Sequence, residues 1–320
     1  MVRIVSLLPS ATEIVGALGL TEALVGVSHE CDYPPAVQRL PRLTRSLLPE
    51  GATPAEIDAL VVRALHEHRA LYALDLDLLE RLRPDLILTQ ELCAVCAVAY
   101  DEVLRAARRL RGGGGQPTIV SLEPQTIDDI LESIRVVAQS AGVPERAEPV
   151  VAGLRQRLER VRARTASLTA RPRVLVLEWP DPPYVGGHWV PEMVLLAGGT
   201  NVPLQQERLG RPSVRVTWET LQAQDPDLIV IAPCGYHLAQ AVAAGHDLAR
   251  RPEWAALRAV QAGEVWAVDA NSYFSRPGPR VVDGVELLAA IIATRPPTVG
   301  QPPRAQRLPP VGAPSATPTG

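Results

Sequence analysis

The chain of 320 residues has no lysine: all 32 of its basic side chains are arginine, against 35 acidic ones. Without an ammonium group there is no Schiff-base or pyridoxal chemistry, no Walker-type phosphate loop and no kinase lysine. The run Gly112-Gly113-Gly114-Gly115 lacks the Lys-Ser/Thr that a phosphate cradle carries, and it reads as a flexible turn. A formal charge of −3 lacks the basic footprint of a nucleic-acid binder. Four cysteines in a chain of this length are too few for a disulfide scaffold. No stretch approaches the ~18 uninterrupted apolar residues of a membrane-spanning helix. The N-terminal stretch has one Arg, then Pro9 and Glu13 where a signal peptide is apolar, and no small-residue cleavage site follows. The expectation is therefore a cytoplasmic chain as the sequence stands, or a periplasmic or extracytoplasmic one if a leader was trimmed. No GxSxG elbow or Ser/His/Asp set stands out, so no catalytic residue is assigned and no enzyme is expected.

What is present is short apolar runs alternating with helical patterns. Val2–Leu7, Ala23–Ser28, Asp85–Thr89 and Thr118–Ser121 read as strands, and Pro54–His68, Leu76–Leu82, Ala99–Leu110 and Ile127–Ala141 as helices. A helix over Ser10–Gly19 is expected to start on a Ser10/Glu13 capping box and to close on Gly19. The second half repeats the grammar. Arg173–Glu178, Asp227–Ala232 and Glu264–Val268 read as strands, and Pro191–Ala197, Trp218–Ala223 and Gly278–Ala293 as helices. Asp85 and Asp227 each follow a proline and open a buried strand. The expectation is an α/β chain of two Rossmann-like lobes with mainly parallel sheets, joined by one long helix. The boundaries are an N-terminal lobe over 1–142, a bridging helix over 143–170 and a C-terminal lobe over 171–295. Residues 296–320, rich in Pro, Gly, Ala and Thr, read as a disordered tail.

In open α/β sheets ligands sit outside the carboxyl ends of the strands. His29, Glu30, Cys31, Asp32 and Tyr33 follow the second strand, and Gln90, Cys93 and Cys96 follow Asp85–Thr89. Trp179, then Gly186-Gly187-His188-Trp189, follow Arg173–Glu178, while Cys234, Tyr236 and His237 follow Asp227–Ala232. All four cysteines and three of the six histidines fall in these loops. His66, His68 and His246 lie on polar helical stretches and read as solvated. Aromatic side chains make up only 4% of the chain. Yet Trp179, Tyr184, Trp189, Tyr236 and Tyr273 gather near strand ends, the lining of a site for a wide, flat, apolar ligand. Trp218 and Trp254 lie on helices and fit a core role. Cys93 and Cys96 have the two-residue spacing of metal knuckles and redox pairs. With Cys31 and Cys234 they are candidate thiolates for zinc or an iron–sulfur cluster. Reduced structural thiols, or contact with a metal-bearing ligand, remain open beside that reading.

Several stretches resemble one family. Arg3-Ile4-Val5-Ser6-Leu7-Leu8-Pro9-Ser10-Ala11-Thr12-Glu13-Ile14 is similar to the first strand and helix of class III solute-binding proteins of the vitamin B12 and iron-siderophore group. Val25-Gly26-Val27-Ser28-His29-Glu30-Cys31-Asp32-Tyr33-Pro34, Leu82-Arg83-Pro84-Asp85-Leu86-Ile87 and Tyr273-Phe274-Ser275-Arg276-Pro277-Gly278-Pro279-Arg280 resemble its other signatures. The Cys-Asp-Tyr-Pro stretch leans towards the cobalamin branch. The likeness spans about residues 2–294. It implies two lobes bridged by a helix, with a corrinoid held in the cleft between them and delivered to an ABC permease or handled inside the cell. Asp77 and Glu192 are then the carboxylates that dock onto permease arginines. The ligand-binding candidates are His29, Cys31, Tyr33, Gln90, Trp179, His188, Trp189, Tyr236, His237, Tyr273 and Arg276. Of these, His29, His188 or His237 is expected near the cobalt. A monomer that does not span a membrane is expected. The alternatives are an Fe(III)-siderophore or haem in the same fold, or a cytoplasmic enzyme with Cys-ligated zinc or iron–sulfur.

Overall fold

The computed structural model describes residues 2–67, 70–90, 103, 116–168, 170–202, 209–293 and 304–310. It divides into two compact units: Met1–Gln156 with Pro277–Pro279, and Arg157–Arg276 with Arg280–Gly320.

The first unit is built on β1 (Ile4–Ser6), β2 (Leu24–Val27), β5 (Leu86–Thr89) and β6 (Thr118–Ser121). These pair in the order β2-β1-β5-β6, and every pairing is parallel. All residues of β1 and β5 are buried, which is why they read as unbroken apolar runs instead of alternating ones. A separate antiparallel pair, β3 (Thr44–Ser46) and β4 (Tyr72–Leu74), was not apparent from the sequence. The helices are α1 (Pro9–Ala17), α2 (Pro54–His66), α3 (Leu76–Leu82) and α4 (Ile127–Ser140). The Thr53/Glu56 and Thr126/Asp129 pairs form capping boxes on α2 and α4. The Ser10/Glu13 box does not form. Proline suits a first helical position, so α1 starts one residue earlier, on Pro9, with Leu8 as its cap; Ser10 and Glu13 are buried within the helix. The helix expected over Ala99–Leu110 and the Gly112–Gly115 turn lie outside the described residues, Val103 excepted.

Helix α5 (Ala147–Thr165) contains the boundary between the units, at Gln156/Arg157. A short 3-10 turn over Pro144–Arg146 precedes it, so the helical pattern read from Pro144 is interrupted there.

The second unit centres on β7 (Arg173–Pro180), with β11 (Leu228–Ile231) and β12 (Val265–Val268) following in parallel. On the other edge of β7, β9 (Thr200–Val202) pairs in parallel with its first half and β8 (Pro183–Val185) antiparallel with its second. Strand β10 (Val214–Arg215) extends β8. Around this sheet lie α6 (Val190–Leu196), α7 (Trp218–Gln224), α8 (Leu238–Leu248), α9 (Pro252–Ala255), α10 (Arg258–Gln261), α11 (Ala270–Tyr273) and α12 (Val281–Ile292). The α/β class and parallel sheet centres are those the sequence indicates.

The tail departs from expectation. Ala305–Leu308 forms β13, an antiparallel partner of β12 with Ala305 and Leu308 buried. Composition argued for disorder, but four residues hydrogen-bonded to a ready-made edge, with two small-to-medium apolar side chains turned inward, outweigh it.

The two Pro-Asp dipeptides have a shared structural cause. Asp85 Oδ2 accepts the backbone N–H of Arg3 at 2.8 Å, and Asp227 Oδ2 accepts that of Arg173 at 2.8 Å. Each arginine turns its guanidinium onto a carbonyl at the end of the helix that precedes the aspartate: Arg3 onto Leu82 O at 2.7 Å, Arg173 onto Gln224 O. In each unit one arginine and one aspartate, through hydrogen bonds to backbone groups, thereby tie the first strand to the helix–strand corner beside it. These bonds satisfy backbone groups that the sheet leaves open at its amino edge.

Candidate functional site

Because β1, β2, β5 and β6 run in parallel, their carboxyl ends share one edge of the first sheet. His29 follows β2 there. Its backbone N–H donates to Thr44 Oγ1 at 2.9 Å, and its Nδ1 lies 2.7 Å from the same oxygen. The imidazole centroid is 5.3 Å from the Tyr72 ring. Burial, with the Arg42 guanidinium as a second cause, holds the His29 pKa below its ordinary value. Arg42 Nη1 donates to Ser28 O at 2.9 Å and Cys31 O at 2.6 Å, closing the turn that carries His29. Cys31 is buried, its sulfur 3.0 Å from Thr12 Oγ1 and 3.3 Å from Ser28 Oγ. Tyr33, by contrast, is 44% exposed. Gln90 follows β5 and is half-buried.

The carboxyl edge of the second sheet gathers more. Trp179, near the end of β7, meets Tyr236 edge-on at 5.6 Å, and both are half-buried. His237 is exposed; Asn271 Nδ2 lies 3.1 Å from its Nε2 and Asp269 Oδ1 3.4 Å from its Nδ1. Tyr273 lies beneath two guanidinium groups, Arg304 at 5.0 Å and Arg280 at 5.8 Å from the ring centroid. Burial pushes the phenols of Tyr236 and Tyr273 above their ordinary range. Arg276 is buried and Cys234 half-buried.

The Gly186-Gly187-His188-Trp189 turn is held from below by Glu178. Ser213 Oγ donates to Glu178 Oε1 at 2.8 Å, and the Gly187 N–H lies 3.1 Å from Ser213 Oγ and 3.4 Å from Glu178 Oε2. His188 has φ +50° and donates its N–H to Arg211 O at 2.6 Å. Its imidazole stacks on Trp189 at 5.6 Å, and burial lowers its pKa. Trp189 itself is buried and donates Nε1–H to Phe274 O at 2.8 Å, which places it in the interior of the unit.

Desolvation raises the pKa of the Glu178 carboxyl, against the pull of Ser213 and Gly187. A carboxyl whose folded pKa is raised binds its proton more tightly in the folded state. Its contribution is therefore most favourable below the unfolded pKa and is lost as pH rises through the folded one. E178Q, whose amide has the shape and neutral charge of the protonated carboxyl, is expected to gain in Tm relative to wild type between pH 4.5 and pH 8. Each pKa unit corresponds to about 1.4 kcal/mol. Paired thermal melts check this; a Tm difference that stays flat across that range refutes it.

The structure thus brings together Trp179 with Tyr236, and His188 with Trp189. Glu178, Ser213, Asp269, Asn271 and Arg304 complete the second edge, and Thr44 and Tyr72 the first; the sequence reading had missed all of them. Asp269 and Asn271 follow β12, so the strand-end rule could have found them. Thr44 and Tyr72 sit on short strands with no readable pattern, and Arg304 on a strand hidden in the tail. For a metal, the donors among the described residues do not converge. Cys31 faces two hydroxyls, and among the described residues no group of three or more His, Cys, Asp or Glu converges on a point. Cys93 and Cys96 lie outside the described residues. Asp77 is exposed in the first turn of α3, and Glu192 half-buried in that of α6. Among the described residues no helix is long and apolar enough to cross a membrane.

Parallel-centred α/β units with aromatic and imidazole groups at the carboxyl edges are the build of a solute-binding protein. Residues 4–271 match the model of the periplasmic binding protein family, and the chain belongs to it. It is 30% identical over 285 residues to a vitamin B12-binding protein of Vibrio cholerae, covering 89% of this chain and 86% of that one. The crystal structure of the periplasmic vitamin B12 binding protein of Vibrio cholerae superposes with a TM-score of 0.64 at 28% identity, covering 91% and 96% of the two chains. The periplasmic heme-binding protein of Roseiflexus sp. RS-1 gives a TM-score of 0.67 at 26% identity over 91% and 98%. An uncharacterized ABC transporter substrate-binding lipoprotein of Bacillus subtilis is 27% identical over 295 residues, or 91% of this chain and 79% of that one.

Proposed function

We propose that the protein captures a corrinoid of the cobalamin type outside the cytoplasm and passes it, without chemical turnover, to an ABC permease. One observation carries this: half-buried Trp179 and Tyr236 meet at the carboxyl edge of the second sheet, with His237 beside them. Flat aromatic faces suit a macrocycle's apolar surface, and imidazole and amide groups suit its amide-bearing rim. The Vibrio relatives, whose names state vitamin B12 binding, support the same ligand, and the Bacillus relative supports the transporter. Asp77 and Glu192, in first turns of α3 and α6, are the carboxylates assigned to permease docking.

Haem is the second reading, favoured by the two guanidinium groups over Tyr273, which suit an anionic rim, and by the Roseiflexus relative. Titration with cyanocobalamin and with hemin, followed by absorbance, separates the two. Saturable cobalamin binding at micromolar concentration or tighter is expected, and W179A is expected to weaken it about tenfold, or ~1.4 kcal/mol. Saturable binding of hemin with none of cobalamin overturns the corrinoid reading.

A further inference from the structure

His29 makes two contacts with one hydroxyl, and these fix its tautomer. Thr44 Oγ1 accepts the His29 backbone N–H at 2.9 Å and lies 2.7 Å from Nδ1. Thr44 is buried, and among the described residues no other acceptor reaches its hydroxyl proton. That single proton therefore goes to Nδ1, which accepts it with its lone pair. A neutral ring whose Nδ1 is an acceptor carries its own proton on Nε2. The opposite tautomer, with Nδ1–H donating to Oγ1, strands a buried hydroxyl proton. It is disfavoured by roughly ten- to a hundredfold.

A second set of contacts holds the ring in place and keeps it uncharged. Arg42 clamps the carbonyls of Ser28 and Cys31 on either side of His29. Tyr72 lies against one face of the imidazole, at 5.3 Å. The Arg42 cation and the partial burial of the ring both oppose an imidazolium. Among the described residues Nε2 has no hydrogen-bond partner. A protonated Nε2 has no lone pair to give to a metal, so in this tautomer His29 meets a ligand as a hydrogen-bond donor.

We infer that His29 is a specificity-determining residue whose Nε2–H donates to a carbonyl or carboxylate oxygen on the ligand's periphery. The inference rests on the corrinoid reading for the identity of that oxygen, which is then a side-chain amide carbonyl. Thr44 is the positioning residue that sets the tautomer.

Aquocobalamin, whose axial water an imidazole ligand displaces, is the probe. His29→Gln keeps an N–H donor and is expected to bind within about threefold of wild type. His29→Phe, with similar bulk and no donor, is expected to bind roughly tenfold more weakly. The absorption bands of bound aquocobalamin are expected to be identical in wild type and both variants. Nitrogen-15 spectra of the ligand-free protein are expected to show His29 Nδ1 bare and Nε2 protonated, a state that T44V loses and T44S keeps. A cobalt band that shifts only when His29 is present overturns the inference, as does a protonated Nδ1 in the wild-type spectrum. If wild type binds no aquocobalamin, the corrinoid reading fails by itself. Hemin, whose carboxylates offer the same acceptor, is then titrated against the same variants. Equal hemin affinity in wild type and H29F overturns the donor role.

Discussion

Replacing Trp254 with alanine is expected to lower the melting temperature by roughly 10 °C. Trp254 is 2% exposed and is the largest of the fully buried side chains in the described residues. It belongs to the apolar cluster under the second sheet, with Leu221, Leu257, Val260 and Ile231. Truncating a buried tryptophan removes its transfer free energy and leaves a cavity that a close-packed interior fills only in part, about 3–5 kcal/mol in all. A unit of this size loses about 2–4 °C per kcal/mol. Trp218 meets Trp254 edge-on at 6.1 Å but is half-buried, so W218A costs less. A W218A/W254A cycle is expected to return a coupling of about 0.5–1.5 kcal/mol, the usual worth of an edge-to-face pair beyond its area. The Arg251 guanidinium, 5.9 Å from the Trp218 ring and paired with Asp181, covers the pair's outer side. Differential scanning calorimetry of the single variants decides the matter: a W254A transition within 2 °C of wild type removes Trp254 from the load the core carries.

Trp254 also shows what could be read without coordinates. A tryptophan on a short helix, far from any strand end, signalled core, and so did the buried runs of β1, β5, β7 and β11. These signals are local: a strand covered on both faces must be apolar throughout. The Pro-Asp corners at Asp85 and Asp227 were visible as a repeat, but their function, capping the backbone of Arg3 and Arg173, needs the partner strand. Three kinds of feature stayed hidden. Strands β3, β4, β8 and β13 are three or four residues of weak pattern that exist because a partner edge is there. The start of α1 depended on whether Pro9 or Ser10 came first, a choice the proline's missing N–H decides. The polar part of the site was the least legible. His29 was named from its place after β2, yet its chemistry depends on Thr44, fifteen positions along on a strand the sequence does not announce.

The Gly186-Gly187-His188-Trp189 turn carries the other large effect. A Cβ at Gly187 would stand 2.2 Å from Ser213 N, 2.4 Å from Pro212 C and 2.6 Å from Arg211 O. All three are backbone atoms, so no rotamer change relieves the overlap, and the segment 211–213 or the turn itself must move by about an ångström. Overpacking of this kind costs typically 1–3 kcal/mol and occasionally more, and backbone against backbone lies at the upper end. G187A is expected to be destabilised by about 3 kcal/mol, a fall of roughly 6–12 °C in Tm. The displacement also acts on the hydrogen bonds that meet there. Gly187 N–H reaches Ser213 Oγ and Glu178 Oε2, Ser213 Oγ reaches Glu178 Oε1, and His188 N–H reaches Arg211 O. Moving 211–213 lengthens all of them together and frees the His188 backbone from φ +50°, a conformation that a non-glycine residue keeps only when its neighbours impose it. The expected signature is therefore a lower melting temperature together with loss of the pH-dependent gain that E178Q shows over the parent, because a Glu178 carboxyl released to solvent titrates at its ordinary value. G187A melting within 2 °C of wild type, with the E178Q gain intact, shows that the turn tolerates a methyl group and that the Glu178–Ser213 clamp does not set its position.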